Sequence, residues 1–294
     1  MKGRGPHGVR APGSGAGGAG NTNDPGWPGG RPPALERFSQ NFLVDGNIAR
    51  KIVDRSEVGA GDHVLEIGPG RGALTEPLAS RVARLRLVEI DRALVWALAE
   101  RYQDDPHVEV IAGDALAIGL GVLLEGAERW SIVANLPYRI TSPLIFAMLD
   151  ERARLASATV MVQREVAERI QAEPGTKEWG TLSVHAQRVA DVHTLFDVSP
   201  NAFRPRPTVH SSVLRLDFLS RPRVEVADET LFRRVVRAAF ALRRKTLRNS
   251  LQSGGFDVAT IDAAGTALGL DLKRRGETLE IAELAALAAT LARG

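Results

Sequence analysis

The 294-residue chain carries 38 Lys and Arg against 35 Asp and Glu, with 44% apolar and 25% charged residues; this balance excludes a fibrous or wholly disordered polypeptide and leaves a mildly basic globular one. It has no cysteine, which excludes disulfides and thiolate metal sites and suits a cytoplasmic, reducing setting. No apolar run reaches the ~18 residues of a membrane span, and the six histidines form no close-spaced ligand set, so neither membrane nor metal is expected.

Residues 1–33 are rich in Gly and Pro, with Lys2, Arg4, Arg10 and Arg31 against Asp24. Such a segment buries too little apolar surface to offset chain entropy and is expected to be a disordered basic tail. It lacks the apolar core of a secretory signal. An inert extension is its simplest reading; an arm touching nucleic acid is the alternative.

Apolar periodicity begins near Leu35. Asp45 is placed as the N-cap of a helix in "DGNIARKIVDRSEV", with Ile48, Ile52 and Val53 on one face. Short apolar runs then alternate with helical segments: "HVLEI", "GALTEPLASR", "RLRLVEI", "RALVWALAERY", "VEVIAG", a loose stretch near "LGVLLEGA", and "WSIVAN". Alternation of this kind predicts β-α-β units around a parallel sheet covered on both faces. "SATVMVQ", "VHTLFDV" and "SVLRLDFL" add strands, with antiparallel members expected at the end. Beyond about Arg221 only helical periodicity remains, in "TLFRRVVRAAFAL", "FDVATIDAAGTAL" and "IAELAALAATLA". The expected division is therefore tail (1–33), α/β catalytic domain (34–220) and smaller C-terminal helical domain (221–294).

"VLEIGPGRGAL" sets Gly68, Gly70 and Gly72 between a strand and a helix, where the backbone turns sharply and approaches a ligand closely. Gly68, Gly70 and Ala73 also satisfy a dinucleotide fingerprint, so a nicotinamide or flavin enzyme is a rival, and an empty tight turn is the bland alternative. Glu89, Asp114 and Asn135 end three successive strands. A carboxylate such as Glu89 at that tip can accept both hydroxyls of an adenosine ribose. Any one acid there can be a helix N-cap, as Asp91 is expected to be; the series along one sheet edge is harder to attribute to capping. This succession resembles the class I S-adenosylmethionine-dependent methyltransferases, with a Rossmann-like fold. The resemblance puts Gly68 under the methionine part of the cofactor, Glu89 on its ribose and Asp114 on its adenine.

"ANLPYRITSP" follows directly. Pro137 lacks a donor and ends the ladder, so the stretch is either an ordinary turn or a binding feature. It is similar to the (Asn/Asp/Ser)-x-Pro-aromatic signature of enzymes that methylate exocyclic amines of nucleobases. An adenine amine is a weak nucleophile because its lone pair is delocalised into the ring. Two acceptors aimed at its N–H bonds, the Asn135 side-chain oxygen and the Leu136 carbonyl, favour a pyramidal nitrogen, while Tyr138 stacks on the base.

With "RFSQNFLVD", "MVQREVAERIQAEPGTKEWGTLSVHAQ", "LFDVSPNAFRPRPTVHSSVLRLDF" and "RAAFALRRKTLRNSLQ", the chain from Arg37 to Leu251 resembles the small-subunit ribosomal RNA adenine dimethyltransferases (the KsgA/RsmA family). The resemblance implies transfer of four methyl groups to two adjacent adenosines in the hairpin near the 3′ end of 16S ribosomal RNA, within the small subunit or its precursor, by a monomer. It adds Asn41 and Leu43 to Gly68, Glu89, Asp114 and Asn135 as cofactor contacts. It also makes Phe203 a second aromatic wall opposite Tyr138; a core phenylalanine is the alternative. The chain departs from the family at Arg139, where a second aromatic is common, at His210, usually Asp, and at Trp179, often Tyr.

Seven basic residues and no acid lie between Leu231 and Arg248. On a continuous helix, Arg233, Arg237, Arg244 and Arg248 fall within about 60° of one another. With Lys245, they are the candidates for phosphate contact. A solvated face is the bland alternative, and "RRKT" is a possible break with Thr246 starting a new helix. Three rivals stand beside the small-subunit enzyme: a resistance-type methyltransferase acting on a large-subunit adenine, a binding or assembly factor without turnover, and a nicotinamide oxidoreductase. "MVQREVAERI" and "RRKTLRN" argue against the first, intact Asn135 and Tyr138 against the second, and "NLPY" against the third.

Overall fold

A computed structural model of the chain describes residues 41–292. The tail 1–33 and the Arg37–Gln40 part of the first motif lie outside the described residues.

Seven strands form the main sheet: β2 (His63–Ile67), β3 (Arg84–Glu89), β4 (Val108–Ala112), β5 (Trp130–Asn135), β6 (Leu155–Gln163), β7 (Ala190–Val198) and β9 (Ser211–Phe218). Their order is β4-β3-β2-β5-β6-β9-β7. β2 pairs in parallel with β3 and β5, β3 with β4, and β5 with β6, whereas β9 runs antiparallel to both β6 and β7. All seven were legible as apolar runs; β2, β3, β5 and β6 are covered on both faces and so need apolar residues at nearly every position, whereas the edge strands β4 and β7 are only partly buried. Adjacent residues accordingly enter different cores. Leu65, Ile132, Ala134 and Val160 pack on one face, while Val64, Val133 and Met161 pack on the other. Each fully buried Val or Leu contributes about 1.5–3 kcal/mol.

The helices that cover the sheet start where local chemistry provides a cap. Asp45 accepts from the N–H groups of Asn47 (2.9 Å) and Ile48 (3.2 Å) and opens α1 (Gly46–Arg55), which buries Ala49, Ile52 and Val53. Asp91 does the same for α3 (Arg92–Arg101) through Ala93. Between them lies α2 (Thr75–Ala79). The "LGVLLEGA" stretch begins as the short helix α5 (Leu120–Leu123), which Gly119 separates from an equally short α4 (Ala115–Ile118). The helix α6 (Thr141–Asp150) buries Thr141, Leu144, Ile145, Met148 and Leu149. It escaped sequence reading because its apolar residues face nearly all round, and Pro143 sits in its first turn, where the missing N–H costs nothing. α7 (Arg164–Gln171) and α8 (Thr181–Val189) precede β7. A two-stranded antiparallel pair, β1 (Phe42–Leu43) with β8 (Phe203–Arg204), brings the "NFL" segment against "NAFRP".

The C-terminal segment is helical, as expected: α9 (Glu229–Ala241), α10 (Leu247–Ser253), α11 (Val258–Leu268) and α12 (Ile281–Leu291). They share a core of Phe232, Val236, Leu251, Ile261 and Leu287, which Trp179 and Val184 also enter. The Trp179 indole N–H donates to the Leu279 carbonyl at 3.0 Å. Of the two readings open for Leu231–Arg248, a continuous helix or a break at "RRKT", the break is realised: α9 ends at Ala241, and Thr246 caps α10, accepting from the Asn249 N–H. After the break, Leu247 and Leu251 enter the core that α9 lines.

Candidate active site

The sheet order reverses at β2, whose neighbours are β3 on one side and β5 on the other. Such a switch point opens a crevice outside the carboxyl ends of the strands. Gly68 and Gly70 follow β2 with φ of +67° and +58°, backbone that side chains strongly disfavour. A Cβ on Gly70 would stand 3.2 Å from the Phe42 ring, and one on Gly68 would fill the gap toward Pro137, 3.8 Å away. The glycine loop is thus a cradle kept open on the side of the Asn-Leu-Pro-Tyr turn.

Glu89, 4% exposed, organises that loop. One of its oxygens accepts from the Gly70 N–H (3.0 Å), and the other from the N–H groups of Ile90 and Asp91 (2.9 Å each). Burial raises its pKa, and the three backbone donors pull it back. Asp114 accepts from the Leu116 N–H at 2.9 Å and caps α4, so the capping role weighed from sequence is realised while the residue also lines the cleft.

Asn135 closes β5, and its side-chain N–H group points toward the Asn41 carbonyl in a long 3.5 Å contact. That assignment turns the amide oxygen away from Asn41. The Leu136 N–H donates to the Met161 carbonyl at 3.1 Å, and its side chain is buried. The Pro137 carbonyl accepts the Ile140 N–H (3.1 Å) and the Thr141 hydroxyl (3.0 Å), which rolls Tyr138–Ile140 into a single 3-10 turn. The Tyr138 hydroxyl lies 2.8 Å from the Ser211 hydroxyl. Its pKa is raised, chiefly by burial and against the bond to Ser211.

Asn41, Leu43, Gly68, Glu89, Asp114, Asn135, Leu136, Pro137 and Tyr138 line one cleft, with Arg71 and Arg139 at its wall. Phe203 does not. It is fully buried in the core beneath β1 and pairs in register with Leu43, so the aromatic wall expected opposite Tyr138 is corrected to the core alternative. The physical reason is the β1–β8 pairing, which turns Phe203 inward.

One residue that sequence reading passed over belongs to this cleft. Glu66, 2% exposed, accepts the Thr75 hydroxyl at 2.7 Å. Its pKa is pushed up to about 8, first by burial and then by the charge of Glu89, against the Thr75 bond. The signal was present as an acid inside an otherwise apolar strand, "HVLEI".

The five basic candidates are dispersed by the helix break. Arg233 pairs with Asp150 at the end of α6 and lies 3.8 Å from Glu229. Arg248 makes a two-pronged pair with Asp262 at 2.7 and 2.8 Å. Arg237, Arg244 and Lys245 are exposed. Among the described residues, no helix is long and apolar enough to cross a membrane, and no cluster of His, Cys, Asp and Glu could hold a metal.

Strand direction separates two folds that share a glycine turn. In the dinucleotide fold the sheet is mostly parallel, whereas here a strand inserted between β6 and β7 runs antiparallel to both. That insertion, with the loop at the switch point and an acid at each of the next two tips, makes the fold that of a class I, Rossmann-like methyltransferase. Similarity narrows the class: the family model for Ribosomal RNA adenine dimethylase matches residues 34–287, and the chain belongs to that family. Ribosomal RNA small subunit methyltransferase A of Geobacter metallireducens is 46% identical over 258 residues, covering 86% of this chain and 94% of the relative. Its counterpart from Moorella thermoacetica is 47% identical over 260 residues, covering 86% and 90%. Among solved structures, 23S rRNA methyltransferase ErmE superposes with a TM-score of 0.64 at 26% identity, covering 86% of this chain and 100% of that one. A dimethyladenosine transferase from Plasmodium falciparum shares the fold, with a TM-score of 0.67 at 23% identity over 84% and 95% of the two chains.

Proposed function

We propose that the protein transfers methyl groups from S-adenosylmethionine to the N6 amines of two adjacent adenosines in the 3′-terminal hairpin of 16S ribosomal RNA, dimethylating each during small-subunit assembly. The observation that carries this reading is the closure of the Asn135–Tyr138 turn over the glycine cradle, with Pro137 facing Gly68 across the space a Cβ would fill. The names of the 46% and 47% identical relatives favour the small subunit over the large.

The cradle suits the cofactor: glycine backbone at Gly68 and Gly70 for the methionine part, Glu89 for ribose hydroxyls, Asp114 for the adenine, with Asn41 and Leu43 lining the same cleft. When bound, S-adenosylmethionine supplies an electrophilic methyl group on a sulfonium. The chain's own residues prepare the nucleophile. Asn135, oriented by Asn41, presents its amide oxygen to one amine N–H, and the Leu136 carbonyl takes the other. Tyr138 stacks on the base, a contact worth about 1–3 kcal/mol. Alignment then supplies much of the rate, since effective molarities in well-oriented systems reach about 10⁵ M or more. After the first transfer and loss of a proton from the methylated amine to solvent, one N–H remains, so the second transfer needs only one acceptor. Arg237, Arg244 and Lys245 would meet RNA phosphates directly, while Arg233 and Arg248 would do so only by exchanging their carboxylate partners.

Incubation with labelled S-adenosylmethionine and unmodified small or large subunits, followed by mass spectrometry, tests the proposal. Dimethyladenosine at adjacent positions of small-subunit RNA is expected. Label confined to large-subunit RNA would overturn the substrate assignment, and no transfer to either would favour a binding role.

A further inference from the structure

The cleft accounts for Tyr138 but not for the atom that holds it. Ser211 opens β9, is fully buried, and is paired on both sides, with Gln163 of β6 and Val198 of β7. It is therefore one of the least mobile positions near the cleft. Its hydroxyl lies 2.8 Å from that of Tyr138, 73 residues away in sequence. At its other end the Tyr138 backbone is fixed in the turn closed by the Ile140 N–H on the Pro137 carbonyl, at 3.1 Å. A half-buried ring pinned at both ends cannot swing into the cleft or out of it.

We infer that Ser211 is a positioning residue for the methyl transfer: its hydroxyl holds the Tyr138 ring in the orientation that receives the target adenine. The proposal rests on the reading of Tyr138 as the stacking residue. Stacking itself uses the ring face and leaves the phenol hydroxyl without a task. With that hydroxyl anchored on a strand paired on both sides, the ring loses little freedom when the base arrives, and its plane is set before binding. Phe203 is sealed in the core and does not share this task.

The test compares wild type with Ser211→Ala, Tyr138→Phe, the double variant and Tyr138→Ala. Single-turnover methylation, RNA affinity, cofactor affinity and the fluorescence of a 2-aminopurine placed at the target adenosine are measured for each. Ser211→Ala and Tyr138→Phe remove the same bond from opposite ends. Each is expected to slow single-turnover methylation about fivefold, the worth of one neutral hydrogen bond, and to relieve part of the 2-aminopurine quenching. RNA and cofactor affinities should stay at wild-type values, and the double variant should be no slower than either single one.

Tyr138→Ala separates the two readings. If it leaves turnover and quenching intact, the stacking assignment itself falls. If it abolishes both while Ser211→Ala and Tyr138→Phe behave as wild type, only the positioning role is overturned. Losses in the two single variants that multiply in the double one would overturn it as well. A Ser211→Ala protein that loses cofactor affinity or melts early, while Tyr138→Phe turns over normally, would assign Ser211 to sheet stability instead.

Discussion

Charge is spent in opposite directions at the cleft and at the junction of α6, α8 and α9. In the cleft, acids are buried to organise backbone: Glu89 gathers three N–H groups around the glycine loop, and Glu66 is held by Thr75. At the junction, arginines are spent on carboxylates across helices. Arg188, 2% exposed, binds Glu229 with one bond of 2.6 Å, and Arg233 binds Asp150. The acids of the cleft stay buried and bonded to backbone or hydroxyl donors, whereas Arg188 and Arg233 are taken up by carboxylates of neighbouring helices. What decides is whether the fold brings an opposite charge within reach.

The largest expected effect lies in the cleft. Asn135→Ala should lower single-turnover methyl transfer by about 10²-fold or more, the scale for deleting one preorganised polar contact to a reacting group. Cofactor affinity by calorimetry should change little, because glycine backbone and acids remain. Equal losses of binding and turnover would show that Asn135 serves the cofactor rather than the amine.

The two regions should also respond to pH with opposite sign. Glu66 keeps its proton in the folded state up to about pH 8, whereas an unfolded carboxyl ionises near 4.5. Stability is therefore lost as pH rises through that window. His185, buried between the rings of Phe146 and Phe232 at 5.7 and 5.5 Å, has its pKa lowered to about 4 by burial, then by Arg233 and Arg188 and by the weaker Arg237, with Asp150 opposing. Its contribution is present above the unfolded value of 6.5 and is lost as pH falls toward 4. In urea melts, Glu66→Gln should be more stable than wild type by about 2 kcal/mol at pH 8.5 and nearly equal at pH 5. His185→Gln should flatten only the acid limb. Parallel pH curves for wild type and Glu66→Gln would mean that Glu66 is already ionised when folded.

The smallest effects should fall on the basic segment, where they sharpen the contrast between exposed and paired cations. Arg244→Ala with Lys245→Ala should weaken RNA binding and reduce the salt slope by about 2, without changing the melting temperature. Arg233→Ala, a partly exposed pair, should cost no more than about 1 kcal/mol of stability. Equal salt slopes in the two variants would erase the distinction.

Local chemistry wrote much of this plan openly. Asp45 and Asp91 cap the helices they announce, and strands buried on both faces read as apolar runs. Glycines with positive φ mark the turn, and Thr246 was already a plausible new helix start. α6 left no readable period because apolar residues surround it, and Leu242 carries no sequence mark of the break that follows α9. Glu66 stands inside the glycine motif, but its significance comes from burial beside Glu89, which spacing does not show.

The sequence by itself determined the class of fold, the order of the strand-tip residues and the Asn135–Tyr138 turn, because each depends on spacing and on residue chemistry along a few neighbouring positions. Only the tertiary structure decided that Phe203 goes to the core, that Arg233 and Arg248 are held by Asp150 and Asp262, and that Tyr138 is tethered to Ser211. These depend on which atoms meet across long stretches of chain, and β9 reaches Tyr138 only because it is inserted between β6 and β7.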